Sequence, residues 1–294
     1  MFELKGVYPA MVTALTPEEK VDEQGVRNVV NYCLNGGVHG LLVLGSTGEF
    51  PAMNESKRRV AIETVLDEVK GRVPVLIGCG ESGTGRTLEQ VRMACQTKGD
   101  AVLVAIPYYF PLDQAAVVRY YQDIAEASTL PVVMYNFPQM TKTALTPDTV
   151  QKLAAHPNII GIKDSGGDFV TMLRYLEVTE GQQFAVMSGN PALGLAAYLH
   201  GAKGGIYAGC SLAPRACTAV YDAFMAGNLA EAVTLQKRAS RIPLMGTFGN
   251  NAAVVKYGLH LQGVCGPTVA SPIALAGGQE EKIKDWMGKV GVEI

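Results

Sequence analysis

Cysteine is sparse and unpatterned in this chain: six residues, at 33, 79, 95, 210, 217 and 265, with no CxxC pair and no histidine at ligand spacing from any of them. That excludes zinc ribbons and CxxC redox motifs, and the thiols read as reduced, mostly buried small hydrophobes. An excess of one charge is missing too. The formal net charge is -2 and no long lysine and arginine run appears, so there is no electrostatic footprint for nucleic acid or an anionic membrane. A small-molecule partner is expected instead. No apolar run approaches the roughly 18 to 20 residues that a membrane helix needs. The opening MFELKGVYPAMVTAL also lacks the basic region, apolar stretch and small-residue cleavage site of a signal peptide. A cytoplasmic location is the resulting expectation. His39, His156, His200 and His260 are scattered without ligand partners nearby, so no metal is expected.

What the chain does have is apolar material. Hydrophobic residues make up 48% and charged residues 18% of 294 positions, enough for a large buried core and too little charge for disorder. Short apolar runs recur at 7–14, 41–44, 73–78, 101–106, 132–136, 159–163, 184–188 and 205–208, each followed by a longer amphipathic stretch. This is the rhythm of parallel strands joined by crossover helices, with strands apolar throughout because both faces are buried. Helical patterns lie near 25–35, 54–70, 85–97, 114–127, 147–155, 168–179 and 191–200, the second opening with Asn54 as a plausible N-cap. Eight such units without a composition break favour a closed (β/α)8 TIM barrel over an open doubly wound sheet. Further helices at 213–227, 229–245, 250–262 and 272–290 exceed what closure requires. The expected organisation is a barrel over 1–225 carrying the active site, with a small C-terminal helical appendage over 226–294.

In a barrel of this type chemistry sits where the strands run out at their C-terminal ends. The second strand ends in Gly45-Ser46-Thr47-Gly48-Glu49, the fourth in Pro107-Tyr108-Tyr109, the fifth in Tyr135-Asn136-Phe137-Pro138 and the sixth in Gly161-Ile162-Lys163-Asp164-Ser165-Gly166. Lys163 is the sharpest feature, because the preceding apolar run would carry it into the barrel at the catalytic end. Burial disfavours a lysine's ammonium form, and an amine without its extra proton is the species that attacks a carbonyl. The same lysine also fits a pair with Asp164 or a stem that snorkels to solvent. The GSTGE turn places two hydroxyls beside backbone amides and could hold a carboxylate or phosphate, or simply cap the next helix. It lacks the GxxxxGK spacing of a Walker loop. Tyr135 reads either as a proton carrier or as a core residue with a satisfied hydroxyl. Glu49 either orients its loop or meets a helix end. The stretch from Gly78 to Gly83 resembles a dinucleotide loop only loosely and fits a barrel loop better, and Lys203, ahead of the eighth strand, falls at the end away from chemistry.

Taken together, GSTGE, PYYF, YNFP and GIKDSGG, in this order and spacing, resemble the N-acetylneuraminate lyase and dihydrodipicolinate synthase superfamily from about residue 4 through the C-terminal helices. The resemblance implies that Lys163 forms an imine with pyruvate or a pyruvate-derived 2-oxo acid. Tyr135 then shuttles protons, Ser46 matches the hydroxyl of a proton relay, and Thr47 with nearby amides holds the carboxylate. Ile206 matches the position whose carbonyl borders the imine, and Gly189 falls among the substrate contacts. Tyr109 would reach in from a partner subunit, which implies at least a dimer; the family is usually a homotetramer built as a dimer of dimers. Neither metal nor cofactor is implied. The chain departs from its best-known relatives in two places. Where dihydrodipicolinate synthases carry an arginine for the aldehyde's carboxylate, it reads Gln139-Met140-Thr141, with Lys142 two positions on from Met140; where sialic acid lyases carry an acidic pair, it reads Ser188-Gly189-Asn190-Pro191. What remains is an aldolase or dehydratase for a 2-keto-3-deoxy sugar acid or a related hydroxy-2-oxo acid, with Gln139, Asn190, Ser165 and Ser188 available for hydroxyl contacts. A dihydrodipicolinate synthase and a sugar-acid sensor on the same barrel are the alternatives.

Overall fold

The computed structural model describes residues 2–275 and 277–292. Eight strands are present: β1 (Gly6–Pro9), β2 (Leu41–Val43), β3 (Val75–Cys79), β4 (Ala101–Ala105), β5 (Val132–Asn136), β6 (Ile159–Asp164), β7 (Ala185–Ser188) and β8 (Gly204–Tyr207). All pair in parallel in the order β1-β8-β7-β6-β5-β4-β3-β2. The ring closes where Ala10 bridges Leu42 and the Met11 N–H donates to the Leu42 carbonyl at 2.9 Å. This is the TIM barrel that the strand and helix rhythm predicts.

The crossover helices begin where short polar side chains can satisfy their unpaired first amides. Asp22, Asn54, Asp113, Thr146 and Asp168 each accept a hydrogen bond from an amide two or three residues on, the geometry that makes these residue types N-caps. One apolar layer lies between strands and helices and a second fills the lumen, where Tyr8, Leu42, Leu76, Leu103, Val133 and Met187 meet. The interior is thus a packed core, and chemistry is expected at the C-terminal ends of its strands.

The first strand is shorter than its apolar run. Residues 11–15 are buried but leave the sheet, because β2 is only three residues long and offers no further backbone partner. The expected helix over 229–245 ends at Ala239 and gives way to a 3-10 turn, Ile242–Phe248, with Pro243 in its first turn. That over 272–290 shrinks to Glu280–Val290. Helix Asn251–Leu261 packs against the turn that follows β2, which brings the C-terminal segment onto the catalytic end.

A close backbone approach fixes that turn. Leu44 has a left-handed φ of 58°, bending the chain sharply out of β2, and its carbonyl presses on Gly78 of β3, where a Cβ would lie 2.1 Å from the oxygen. Gly78→Ala is expected to destabilise the fold by about 3 kcal/mol, since the obstacle is backbone and one strand must move. Urea unfolding checks this; an unchanged midpoint would show that the strands part freely.

Candidate active site

Strand register assembles the site. Ala105, Tyr135 and Lys163 are partners across β4, β5 and β6, so their side chains stand in a row on one face. That face is the lumen, where Ala105 and Tyr135 pack with Leu103 and Val133. Ala105 contributes little bulk, leaving room above the row. One residue later the side chains turn outward: Asn136 donates from Nδ2 to Asp164 Oδ1 at 2.7 Å, and the Gly166 N–H donates to the same oxygen at 3.0 Å. Burial pushes the Asp164 carboxyl above its ordinary range, and these two donors oppose the shift.

Asp164 is therefore turned away from Lys163 and engaged elsewhere. Lys163 is 4% exposed. Its Nζ lies 4.2 Å from the centroid of the Tyr135 ring, within the range at which a ring face attracts a cation. It forms no hydrogen bond or ion pair with any described residue. The pairing with Asp164 that the sequence left open is thus absent. Tyr135 stacks on Phe137, centroids 5.7 Å apart, and its backbone N–H donates to the Tyr121 hydroxyl at 3.3 Å. The Tyr135 phenol itself has no partner among the described residues.

Above this row opens a cavity of about 710 Å³ lined by Ser46, Thr47, Tyr135, Lys163, Ser165 and Gly189 among others, a size suited to a small metabolite. The turn bearing Ser46 and Thr47 is bracketed by left-handed residues, Leu44 and Glu49, and Thr13 Oγ1 donates to the Gly48 carbonyl at 2.8 Å. Ser46 and Tyr135 both line the cavity, and their hydroxyls do not hydrogen-bond to one another. Gly189 packs so tightly on the end of β6 that a Cβ would meet Ser165 Oγ at 2.1 Å. Ile206 is fully buried in the lumen and does not line the cavity; β8 is represented there by the following Ala208 and Gly209.

Tyr109 stands apart from its own chain's cavity. It has a φ of 95°, rare for a bulky residue, is 78% exposed, and meets the ring of the exposed Phe110 edge-on. Its neighbour Tyr108 does line the cavity. The Tyr108 hydroxyl donates to Glu81 Oε2 at 3.3 Å, and Arg58 holds the other oxygen at 2.7 Å. Burial, then the Glu81 charge, raises the Tyr108 phenol. Glu81 belongs to the Gly78 to Gly83 stretch, which is here the end of β3 and the loop after it.

Of the residues expected to meet hydroxyls, Ser165 and Asn190 line the cavity, and Gln139 and Ser188 do not. Gln139 spends its amide on the Gly166 carbonyl at 2.7 Å, and Ser188 donates to the Asn190 carbonyl at 3.0 Å. Lys142 donates to the Gln139 carbonyl at 3.2 Å and stays outside, whereas Met140 is at the cavity wall. Lys163 is the one cation among the described residues lining it. Sequence reasoning missed Asn250 and Asn251, two further carboxamides on the wall. They come from the C-terminal segment, outside the strand ends on which a barrel reading concentrates. Among the described residues no group of three or more histidine, cysteine, aspartate or glutamate side chains is gathered to hold a metal, and no helix is long and apolar enough to cross a membrane.

Comparison with known proteins converges on one family. The model of the dihydrodipicolinate synthetase family matches residues 3–286. A 4-hydroxy-tetrahydrodipicolinate synthase of Methanospirillum hungatei is 32% identical over 292 residues, covering 98% of this chain and 99% of the relative. A probable 2-dehydro-3-deoxy-D-pentonate aldolase of Escherichia coli, YjhH, is 34% identical over 289 residues, covering 97% and 96%. The crystal structure of YagE, a prophage protein of the dihydrodipicolinic acid synthase family from Escherichia coli in complex with pyruvate, superposes with a TM-score of 0.94 at 30% identity, covering 99% of both chains. The chain belongs to the dihydrodipicolinate synthetase family and is a pyruvate-dependent class I aldolase or lyase.

Proposed function

We propose that the protein is an aldolase for a 2-keto-3-deoxy sugar acid, cleaving it to pyruvate and an aldehyde through an imine on Lys163. The observation that carries the imine is the Nζ of Lys163, buried at the catalytic end, over the Tyr135 ring and without a carboxylate partner among the described residues. The amine adds to the 2-oxo carbon and water leaves, giving a protonated imine. Tyr135, ring fixed and phenol unengaged, gives its proton to that departing water, and the phenolate so formed takes the proton from the substrate's fourth-carbon hydroxyl. The bond between the third and fourth carbons breaks toward the imine, the aldehyde departs, and the resulting enamine is protonated and hydrolysed to pyruvate and free Lys163. Such a positioned acid-base group contributes about 10² to 10⁴ in rate. The Ser46 hydroxyl relays the proton and Thr47 holds the carboxylate. Tyr109 completes the relay of a neighbouring subunit in a homotetramer, which accounts for its exposed, left-handed placement.

The sugar-acid reading rests on the rest of the wall. A synthase acting on an aldehyde that bears its own carboxylate needs a second cation, and Met140 stands where its relatives' arginine would. A neutral polyhydroxyl chain instead suits the carboxamides of Asn190, Asn250 and Asn251 with the Ser165 hydroxyl. The relative named a probable pentonate aldolase points to the same class. Incubation with 2-keto-3-deoxygluconate and its pentonate analogue, followed by lactate-dehydrogenase detection, is expected to register pyruvate. Release only from sialic acid overturns the proposal; a longer 2-oxo product without pyruvate converts it to a dehydratase.

A further inference from the structure

A charge pair that the chemistry above does not use lies directly behind the GSTGE turn. Glu49, which ends the turn at a left-handed φ of 60°, meets Lys256 of helix Asn251–Leu261 at 2.5 Å, both side chains 0% exposed. Each partner has a second tie. Glu49 Oε2 accepts the Ala270 N–H at 2.7 Å, and Lys256 Nζ donates to the Thr268 carbonyl at 2.7 Å. The turn is thus held from the barrel by Thr13 and from the C-terminal segment by two separate stretches of chain. Desolvation lowers the Lys256 ammonium below the ordinary lysine range while the Glu49 charge opposes it. A buried pair of this kind is expensive, and apolar side chains of similar volume would fill the space at less cost. Its retention at the foot of Ser46 and Thr47 calls for a purpose other than stability.

We propose that Lys256 is a positioning residue for the active site: through Glu49 it fixes the backbone of residues 46–49, so that the C-terminal helix sets the affinity for the 2-oxo acid's carboxylate. It takes no part in bond cleavage. The proposal rests on the Schiff-base reading above. Removing Lys256 alone leaves an unpaired buried carboxylate, so the informative variant is the neutral pair Glu49→Gln with Lys256→Met, in which the glutamine still accepts the Ala270 N–H.

The experiment compares two probes of Lys163: pyruvate with borohydride, and propionaldehyde with cyanoborohydride, which forms the same kind of imine but has no carboxylate. In a folded double variant, half-saturation by pyruvate is expected to rise about tenfold, with kcat changed less than about threefold, and propionaldehyde is expected to label at the wild-type rate. Unchanged pyruvate half-saturation, or equal slowing of both probes, overturns the proposal and leaves the pair as scaffold. If the double variant does not fold, Glu49→Asp, which keeps both charges but shortens the arm, is expected to give the same selective loss for pyruvate. Wild-type protein in which neither probe reaches Lys163 overturns the Schiff-base reading, and this proposal with it.

Discussion

Replacing Lys163 with alanine is expected to lower turnover by at least about 10⁴-fold, the scale on which loss of a covalent catalyst is measured, and to leave the barrel folded. The second half of that expectation follows from the surroundings of the side chain. Among the described residues Lys163 Nζ holds no carboxylate and no hydrogen-bond acceptor, so truncation strands no buried partner there. Ordinarily it is the stranding of a partner that makes a buried-charge mutation destabilising. The freed volume opens onto the cavity rather than forming a sealed void. Trapping with pyruvate and borohydride, read by peptide mass spectrometry, tests the chemistry directly. Wild-type protein should carry one reduced pyruvyl group on the Lys163 peptide, and Lys163→Ala none, with matching thermal transitions. An adduct on another lysine, or residual turnover above about 1% of wild type, would move the imine elsewhere.

Much of the architecture is written in local signals. Runs such as Val102–Val104 and Ile162 are apolar on both faces, and that alone marks strands enclosed by helices. Lys163 and Tyr135 are legible because they are polar groups at the ends of such runs. Less legible was anything decided by distant pairing. Nothing near Leu44 in the sequence says that its carbonyl will press on Gly78, and the chain's apolar character continues past Ala10 although the sheet pairing does not. The same holds for Glu49 and Lys256, separated by 207 positions in sequence and fully buried together. The sequence allowed Glu49 to orient its loop or meet a helix end, but nothing local singled out Lys256 as the partner. Asn250 and Asn251 were invisible for a related reason: helix caps and cavity walls use the same residue type, and Asn250 is also the N-cap of its helix.

Tyr135→Phe is expected to lower kcat by about 10² to 10³ while changing stability by less than about 0.5 kcal/mol. The ring keeps its stack on Phe137 and its place beneath Lys163 Nζ, because neither contact uses the oxygen. The phenol has no partner to lose among the described residues. Tyr120→Phe supplies the contrast within the same barrel. The Tyr120 hydroxyl is buried and donates to the Ala105 carbonyl at 2.7 Å, so its loss should cost about 1 kcal/mol of stability and little activity. The two substitutions remove the same atom from neighbouring strand-end environments, one turned to the cavity and one to the helix layer. Imine trapping on Lys163 should persist in Tyr135→Phe, since the amine itself is intact, while the proton transfers that break the carbon-carbon bond slow. Should Tyr135→Phe instead behave like Tyr120→Phe, losing stability and keeping kcat, the phenol would be a packing group and the proton would have to travel through Ser46 alone.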